Sequence, residues 1–283
     1  MFTSRLRVFA GPNGSGKSTL FESFSKKYNA GIFLNADLLE KELATNGFID
    51  VSEFNLNLTQ LDLDEFLKTK RGNSLIKKSV DDNHKIDITL KENIIVDIAK
   101  ETQSYEGALI SSFLRHHLQE KKIDFCFETV MSHHSKIEEI KEAKQKGYKT
   151  YLYFICIDDP EVNVSRVENR VEKGGHNVSA EKISSRYYNT LNNLIEMIEN
   201  VDKCYLFDNS GEEFKLIAKI TNNQLLIEAE PIDLPNWFIE YVLKYYIWWD
   251  IQELKVLKYN EAIPKFSPFY KIIISPNIYR VYI

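Results

Sequence analysis

Residues 11–18 could do the most recognisable chemistry in this chain. They read Gly-Pro-Asn-Gly-Ser-Gly-Lys-Ser, an unbroken match to the phosphate-binding pattern G-x-x-x-x-G-K-[ST]. In such a loop the glycines let backbone N–H groups curl around a phosphate. Lys17 reaches the terminal phosphates, and the Ser18 hydroxyl ligates Mg²⁺. The pattern therefore predicts a nucleoside triphosphate site made of Gly11, Pro12, Asn13, Gly14, Ser15, Gly16, Lys17, Ser18 and Thr19.

The segments on either side suit this loop. The apolar run Leu6–Ala10 leads into it, and the helix-compatible run Ser18–Lys27 follows it. A strand, a loop and a helix in this order would point the positive end of the helix dipole at the bound anion.

Two carboxylates follow other apolar runs. Asp37 comes after the run Gly31–Asn35, and Glu128 comes after Ile123–Phe127, next to Thr129. Ligands of open α/β sheets bind at the carboxyl ends of the strands, where Asp37 could accept the proton of an attacking hydroxyl and Glu128 could hold Mg²⁺ through water or contact a substrate. Each residue also suits a helix cap or a turn. Spacing alone leaves both interpretations open.

A pair of arginines gives a further candidate. Arg166 and Arg170 lie four residues apart, so they share one face of a helix. A Gly-Gly turn follows, and Arg186 lies in the next predicted helix. Two helices with inward-pointing guanidinium groups, at residues 163–188, would form a lid over a transferring phosphate. Interspersed glutamates make a solvated helix pair equally compatible with the sequence.

Composition narrows the functional classes. The net charge of −5 argues against a nucleic-acid partner, and no stretch is apolar over a length that crosses a membrane. Met1–Ala10 has no apolar leader region. The three cysteines are isolated in apolar runs, which is typical of buried residues in a reducing cytoplasm. Five histidines lack metal-ligand spacing and are predicted to lie at the surface: His84, His116, His117, His133 and His134.

The order of the apolar runs indicates an α/β fold. Five short runs alternate with helix-like segments, which is typical of a parallel sheet covered on both faces. Residues 49–94 interrupt this pattern as a polar, partly helical insertion. Residues 213–230 predict an antiparallel hairpin, and an aromatic helix is expected around Trp237–Leu254, before a strand at Tyr270–Ser275. Two further helices are predicted, one opened by a capping box at Ser135 and one capped by Ser179.

Taken together, the motifs resemble the zeta toxin family of P-loop kinases over residues 5–212. The ordered combination carries the resemblance, since each short motif is weak alone. The matching segments are Gly11–Thr19, Leu34–Asp37, Phe127–Val130, Gly147-Tyr148, Arg166–Val171, Gly174–His176, Arg186-Tyr187 and Tyr205–Ser210.

The resemblance implies a P-loop nucleoside triphosphate hydrolase fold whose five-stranded parallel sheet has the order 2-3-1-4-5. It also implies transfer of a phosphoryl group from ATP·Mg²⁺ to a hydroxyl, which in the toxins belongs to UDP-N-acetylglucosamine, and inhibition by a small antitoxin protein. By motif alignment, Asp37 is the general base, while Lys17, Arg166 and Arg170 stabilise the transferring phosphate. Remaining positions are also carried over from the motifs: Asp208 and Asn209 beside the adenine, and Glu128, Thr129, His176 and Arg186 on the acceptor side.

This resemblance divides the chain into a kinase domain at residues 1–212 and a C-terminal appendage at residues 213–283. The insertion and the appendage have no counterpart in the family pattern, so the acceptor is open. An ATP-binding regulatory module without phosphotransfer is the alternative function.

Overall fold

The computed structural model describes residues 3–172, 178–246, 271–275 and 278–282. These residues form two compact units. Unit 1 comprises the chain up to Arg5 together with Ala30–Glu128, and unit 2 comprises Leu6–Asn29 together with the chain from Thr129 onward. His176 lies outside the described residues, as does the predicted helix beyond residue 246.

Unit 1 contains two of the five predicted strands. Strands β2 (Ile32–Leu34) and β6 (Phe125–Thr129) pair in parallel, as the predicted order requires of the second and third strands. Helix α2 (Ala36–Asn46) follows β2 and packs against α5 (Ser104–Glu120). This contact is close because Gly107 lies at it: a Cβ there would be 2.4 Å from the carbonyl oxygen of Ala36.

The predicted insertion in unit 1 contains a small sheet as well as helices. Its three strands are antiparallel and have the order β3-β5-β4. Each strand is only three or four residues long, too short to give a clear alternating pattern in the sequence. The elements of this region are β3 (Phe48–Asp50), a 3₁₀ turn (Val51–Phe54), α3 (Gln60–Lys68), α4 (Lys70–Asp81), β4 (Ile88–Lys91) and β5 (Ile94–Asp97).

Unit 2 contains the other three predicted strands: β1 (Arg5–Ala10), β7 (Lys149–Cys156) and β8 (Lys203–Asp208). Strand β7 neighbours β1 and pairs in parallel with β8, as predicted for the fourth and fifth strands. The aromatic rings of Phe9, Tyr153 and Tyr205 stack across the three strands, with centroids 4.9 and 5.1 Å apart.

The expectation of a sheet of five parallel strands is wrong, because β8 is not its edge. Strand β9 (Lys215–Thr221) pairs with β8 antiparallel, and a turn at Asn222-Asn223 returns the chain as β10 (Gln224–Ile227). The predicted hairpin is therefore confirmed, and it extends the sheet. Strands β11 (Lys271–Ser275) and β12 (Ile278–Tyr282) continue this antiparallel part.

Five helices of unit 2 lie between β1 and β9 along the chain. Ser179 caps one of them through its side chain, as predicted. The capping box predicted at Ser135 is wrong, because the helix already includes Ser135 and His134 precedes it. The helices are α1 (Lys17–Ser25), α6 (Ser135–Gln145), α7 (Pro160–Glu172), α8 (Ala180–Asn192) and α9 (Leu194–Asn200).

The aromatic C-terminal segment forms part of the core of unit 2. It begins with a 3₁₀ turn (Pro231–Asp233) and enters α10 (Asn236–Phe238), which continues as a π-helical turn (Ile239–Leu243). Trp237 and Phe238 are buried, so both aromatic side chains pack in the core of unit 2. Among the helices of the described ranges, none combines the length and apolar character needed to cross a membrane.

Candidate functional site

Three glycines give the loop between β1 and α1 its shape. Gly11, Gly14 and Gly16 have φ values of +149°, +74° and +101°, a region that side chains with a Cβ rarely adopt. A Cβ on Gly11 would lie 2.0 Å from the carbonyl oxygen of Ile155, and one on Gly14 would lie 2.7 Å from that of Asn163. The backbone is therefore held in a tight curve that only glycine permits at these positions.

The polar groups of this loop suit a phosphate. The Ser15 hydroxyl and the Asn13 side-chain oxygen are buried and have no hydrogen-bond partner among the described residues. Lys17 donates from Nζ to the Pro12 carbonyl at 2.8 Å, so its ammonium group lies over the loop. Ser18 lies exposed in the first turn of α1. A cradle of glycine backbone beside a lysine and a helix N-terminus has the donors that a polyphosphate needs.

Two asparagines from other elements brace the loop. Asn163 on α7 is fully buried and donates from Nδ2 to the Asn13 carbonyl at 2.6 Å. Asn209, directly after β8, donates from Nδ2 to the Ser15 carbonyl at 2.8 Å. The sequence prediction placed Asn209 near the adenine and did not single out Asn163. The only signal for Asn163 was its place between acidic helix residues and Arg166.

The helices that carry the predicted arginines are attached to the body of unit 2. Arg166 on α7 donates to the Asn209 carbonyl at 3.2 Å. On α8, the Tyr187 hydroxyl donates to the Ile157 carbonyl at 2.8 Å, and Thr190 donates to that of Val130 at 2.8 Å. Arg170 is exposed. Both helices bury apolar residues, which the interpretation as a merely solvated helix pair did not require.

Asp208 is engaged by neighbouring side chains. Its Oδ1 accepts hydrogen bonds from Trp237 Nε1 at 2.8 Å and from the Ser210 hydroxyl at 2.9 Å, while Oδ2 accepts from the Ser210 backbone at 3.0 Å. This carboxylate shapes the loop that follows β8.

In unit 1, the structure after β2 excludes one of the two interpretations of Asp37. Asn35 caps α2, because its Oδ1 accepts from the backbone N–H groups of Asp37 and Leu38 at 2.9 and 3.3 Å. The interpretation of Asp37 as the helix cap is therefore wrong. Its carboxylate is exposed and makes no hydrogen bond or ion pair with any residue in the described ranges.

Asn35 also connects α2 to the end of β6. Its Nδ2 donates to Glu128 Oε2 at 3.2 Å, so one amide both caps the helix and orients the glutamate. The structure thus brings together two of the motifs, Asn35–Asp37 and Glu128, at adjacent strand ends of unit 1. Thr129 belongs to unit 2, where its carbonyl accepts from Gly11 N at 3.3 Å and its hydroxyl accepts from Met131 N at 3.0 Å.

The prediction that the histidines lie at the surface is wrong for His84. This residue is buried, and its Nε2 lies 2.6 Å from Oε1 of Glu106, which is also buried. His117 is half-buried, and burial lowers its pKa to about 4. These contacts depend on residues distant in sequence, so local composition gave no signal for them.

Among the described residues, one cluster has the ligand types of a metal site: His134, Glu138 and Glu196. Lys141 already donates to both glutamates at 3.0 Å, and its hydrogen bond is the main cause that lowers the pKa of Glu196. The cluster is therefore a neutralised surface network.

Comparison with known proteins supports the resemblance found in the motifs. The model of the zeta toxin family matches residues 96–216, a range that includes β6, α7, α8 and β8. An uncharacterized protein of Haemophilus influenzae is 34% identical over 74 residues, which are 26% of this chain and 53% of that protein. The chain thus spans about half the length of this curated relative.

A solved structure with a TM-score above 0.5 supports the fold. A chain in the crystal structure of AvrRxo1-ORF1:AvrRxo1-ORF2 with sulphate ions is similar with a TM-score of 0.51 and 14% identity, covering 80% of this chain and 61% of that one. A chain of the PezAT toxin–antitoxin system of Streptococcus pneumoniae has a TM-score of 0.44 at 13% identity, covering 77% and 72%. At such identities the first similarity shows the fold alone.

Proposed function

We propose that this zeta toxin-like chain is a kinase that transfers the γ-phosphoryl group of ATP to a hydroxyl of a small molecule. The observation that carries the proposal is the phosphate-binding loop of unit 2. Its glycines adopt the required backbone, and buried polar atoms at Ser15 and Asn13 have no partner among the described residues. A structural turn has no need of such atoms, because burying an unsatisfied polar group costs about 1–3 kcal/mol.

In this proposal, Lys17 exchanges its bond to the Pro12 carbonyl for one to the β- and γ-phosphates. Arg166 and Arg170 balance negative charge on the equatorial oxygens of the transferring group. The Ser18 hydroxyl, exposed at the start of α1, would hold Mg²⁺. When bound there, Mg²⁺ would supply charge neutralisation at the phosphates.

The acceptor hydroxyl is assigned to the residues of the family motifs. Asp37 accepts its proton, since Asn35 takes over the capping role and leaves the Asp37 carboxylate exposed. Glu128, Thr129, His176 and Arg186 contact the acceptor. The first acceptor to test is UDP-N-acetylglucosamine, by resemblance to the toxins.

We also propose an antitoxin-like protein partner and a cytoplasmic location. The partner is supported by the name of the matching family and by AvrRxo1-ORF1, which was crystallised with a second protein. The cytoplasmic location is supported by three buried cysteines that form no disulfide in the described structure.

The decisive experiment compares Asp37→Asn with Glu42→Gln, which removes an equal charge from the same helix. Purified variants receive labelled ATP·Mg²⁺ with or without UDP-N-acetylglucosamine. Loss of a general base lowers the rate about 10²- to 10⁴-fold. We therefore expect Asp37→Asn to lose transfer and keep ATP affinity, while Glu42→Gln remains active.

Full activity in Asp37→Asn would contradict the assignment of the base. ATP binding by the wild type without transfer to any of a panel of hydroxyl acceptors would contradict the kinase and favour the regulatory module. Unchanged ATP affinity in Lys17→Ala would contradict the site itself.

A further inference from the structure

The C-terminal segment holds two carboxylates, one just after β7 and one at the end of β8. Asp158 accepts from Asn236 Nδ2 at 2.7 Å and from the Trp237 backbone N–H at 2.8 Å. Asp208 accepts from the indole Nε1 of Trp237 at 2.8 Å. Trp237 is only 2% exposed, and its ring packs 5.6 Å from that of Phe154. One tryptophan therefore connects both strand ends.

A second connection runs between the same two strand ends. The Ser210 hydroxyl donates to Asp208 Oδ1 at 2.9 Å and accepts from the backbone N–H of Asp158 at 2.9 Å. The loop after β8 is thus held at Asp208 and Ser210, the residues on either side of Asn209.

Asn209 connects the loop after β8 to the phosphate-binding loop. Its backbone N–H donates to the Cys156 carbonyl at 2.8 Å, and its side chain donates to that of Ser15 at 2.8 Å. The contact with the loop is close, because a Cβ on Gly16 would lie 2.5 Å from Asn209 Nδ2. A small displacement of Asn209 therefore changes the backbone that surrounds the phosphates.

We propose that Trp237 is a positioning residue for nucleotide binding, acting through Asp208 and Asn209 on the Ser15 carbonyl. This inference rests on the proposed nucleotide site. It gives the C-terminal segment, which has no counterpart in the family motifs, a defined role: its first helical turn sets the shape of the phosphate-binding loop. We call this connection, from Trp237 through Asp208 and Asn209 to Ser15, the relay. Each donor in the relay is an N–H group, and each acceptor is a carboxylate or carbonyl oxygen.

Trp237→Phe tests the relay, because phenylalanine keeps an aromatic ring in the core and removes the indole N–H. The affinity for a non-hydrolysable ATP analogue is measured by calorimetry, together with Tm. We expect Kd to rise about 3- to 10-fold, as for partial loss of a hydrogen bond to a charged group. Tyr245→Phe is the matched control, since it removes a hydrogen bond to Glu199 from the same segment. Its Kd should equal that of the wild type.

A double-mutant cycle separates positioning from general destabilisation. In the Asn209→Ala background, Trp237→Phe should lower Tm as before but cause no further loss of affinity, because the relay is already broken. Asp208→Asn, a second variant of nearly equal shape, should weaken binding as Trp237→Phe does. Independent, multiplying effects on Kd would overturn the proposal.

The nucleotide site itself is monitored by Lys17→Ala. If Lys17→Ala loses the analogue while Trp237→Phe and Asp208→Asn bind it like the wild type, the relay is refuted and the proposed function stands. If Lys17→Ala also binds normally, both are refuted.

Discussion

Replacement of Gly11 by alanine tests the geometry of the phosphate-binding loop most directly. The new Cβ would lie 2.0 Å from the carbonyl oxygen of Ile155 and 2.9 Å from the Ser15 hydroxyl oxygen. The first distance is at least 1 Å shorter than any that Cβ atoms adopt, and the obstacle is backbone that cannot rotate away. Strand β7 or the loop must therefore move.

Gly147→Ala provides a matched control in the same unit. Gly147 also has a positive φ, +86°, but a Cβ there would meet no atom within 4 Å. Its replacement costs only the left-handed backbone strain, about 1–2 kcal/mol. Gly11→Ala adds overpacking of about 1–3 kcal/mol to a strain of about 1–3 kcal/mol, which gives about 2–6 kcal/mol.

Urea unfolding of the two variants measures this difference, and ATP-analogue binding in the folded state measures its effect on the site. We expect Gly11→Ala to be the less stable variant and to lose measurable affinity, while Gly147→Ala binds normally. Equal stabilities together with normal binding by Gly11→Ala would show that the close approach to Ile155 is not a feature of the protein.

Two further predictions concern unit 1. Glu106→Ala leaves buried His84 without its partner and should lower the free energy of unfolding by about 3–5 kcal/mol. Asp87→Ala breaks the exposed pair with Lys85 and should change this free energy by less than about 1 kcal/mol. Equal losses of the two variants in urea titrations would refute the distinction. Burial lowers the pKa of His117 to about 4, so between this pH and about 6.5 the unfolded chain binds more protons than the folded one. The free energy of unfolding therefore falls as the pH drops through this window, by about 1 kcal/mol after solvent screening. His117→Asn should flatten the dependence of the urea midpoint on pH, and an unchanged slope would contradict the assignment.

The elements that local patterns specify were predictable. The strand, loop and helix around residues 11–18 followed from apolar content and glycine spacing, and the β9–β10 hairpin followed from two apolar runs around Asn222-Asn223. The parallel neighbours β2–β6 and β7–β8 also agree with the predicted order. What could not be predicted was the extent of the sheet, because antiparallel pairing of β9 with β8 depends on which edge the hairpin meets.

The candidate site shows the same limit at the level of side chains. The assignment of Asp37 was ambiguous because aspartate and asparagine are both good helix caps, and only the structure shows that Asn35 fills this position. The catalytic roles of Asp37, Lys17, Arg166 and Arg170 stay predictions.

The sequence by itself determined the tight glycine-rich loop at residues 11–18, because the residue types at close spacing dictate that backbone. Only the tertiary structure decided what holds the loop in place. Asn163 and Asn209 donate to it from positions 150 and 194 residues away in the sequence, through hydrogen bonds that need precise placement of whole elements. The local backbone conformation depends on neighbouring residues and can be predicted from them. The hydrogen bonds that hold the loop form only when distant segments pack together.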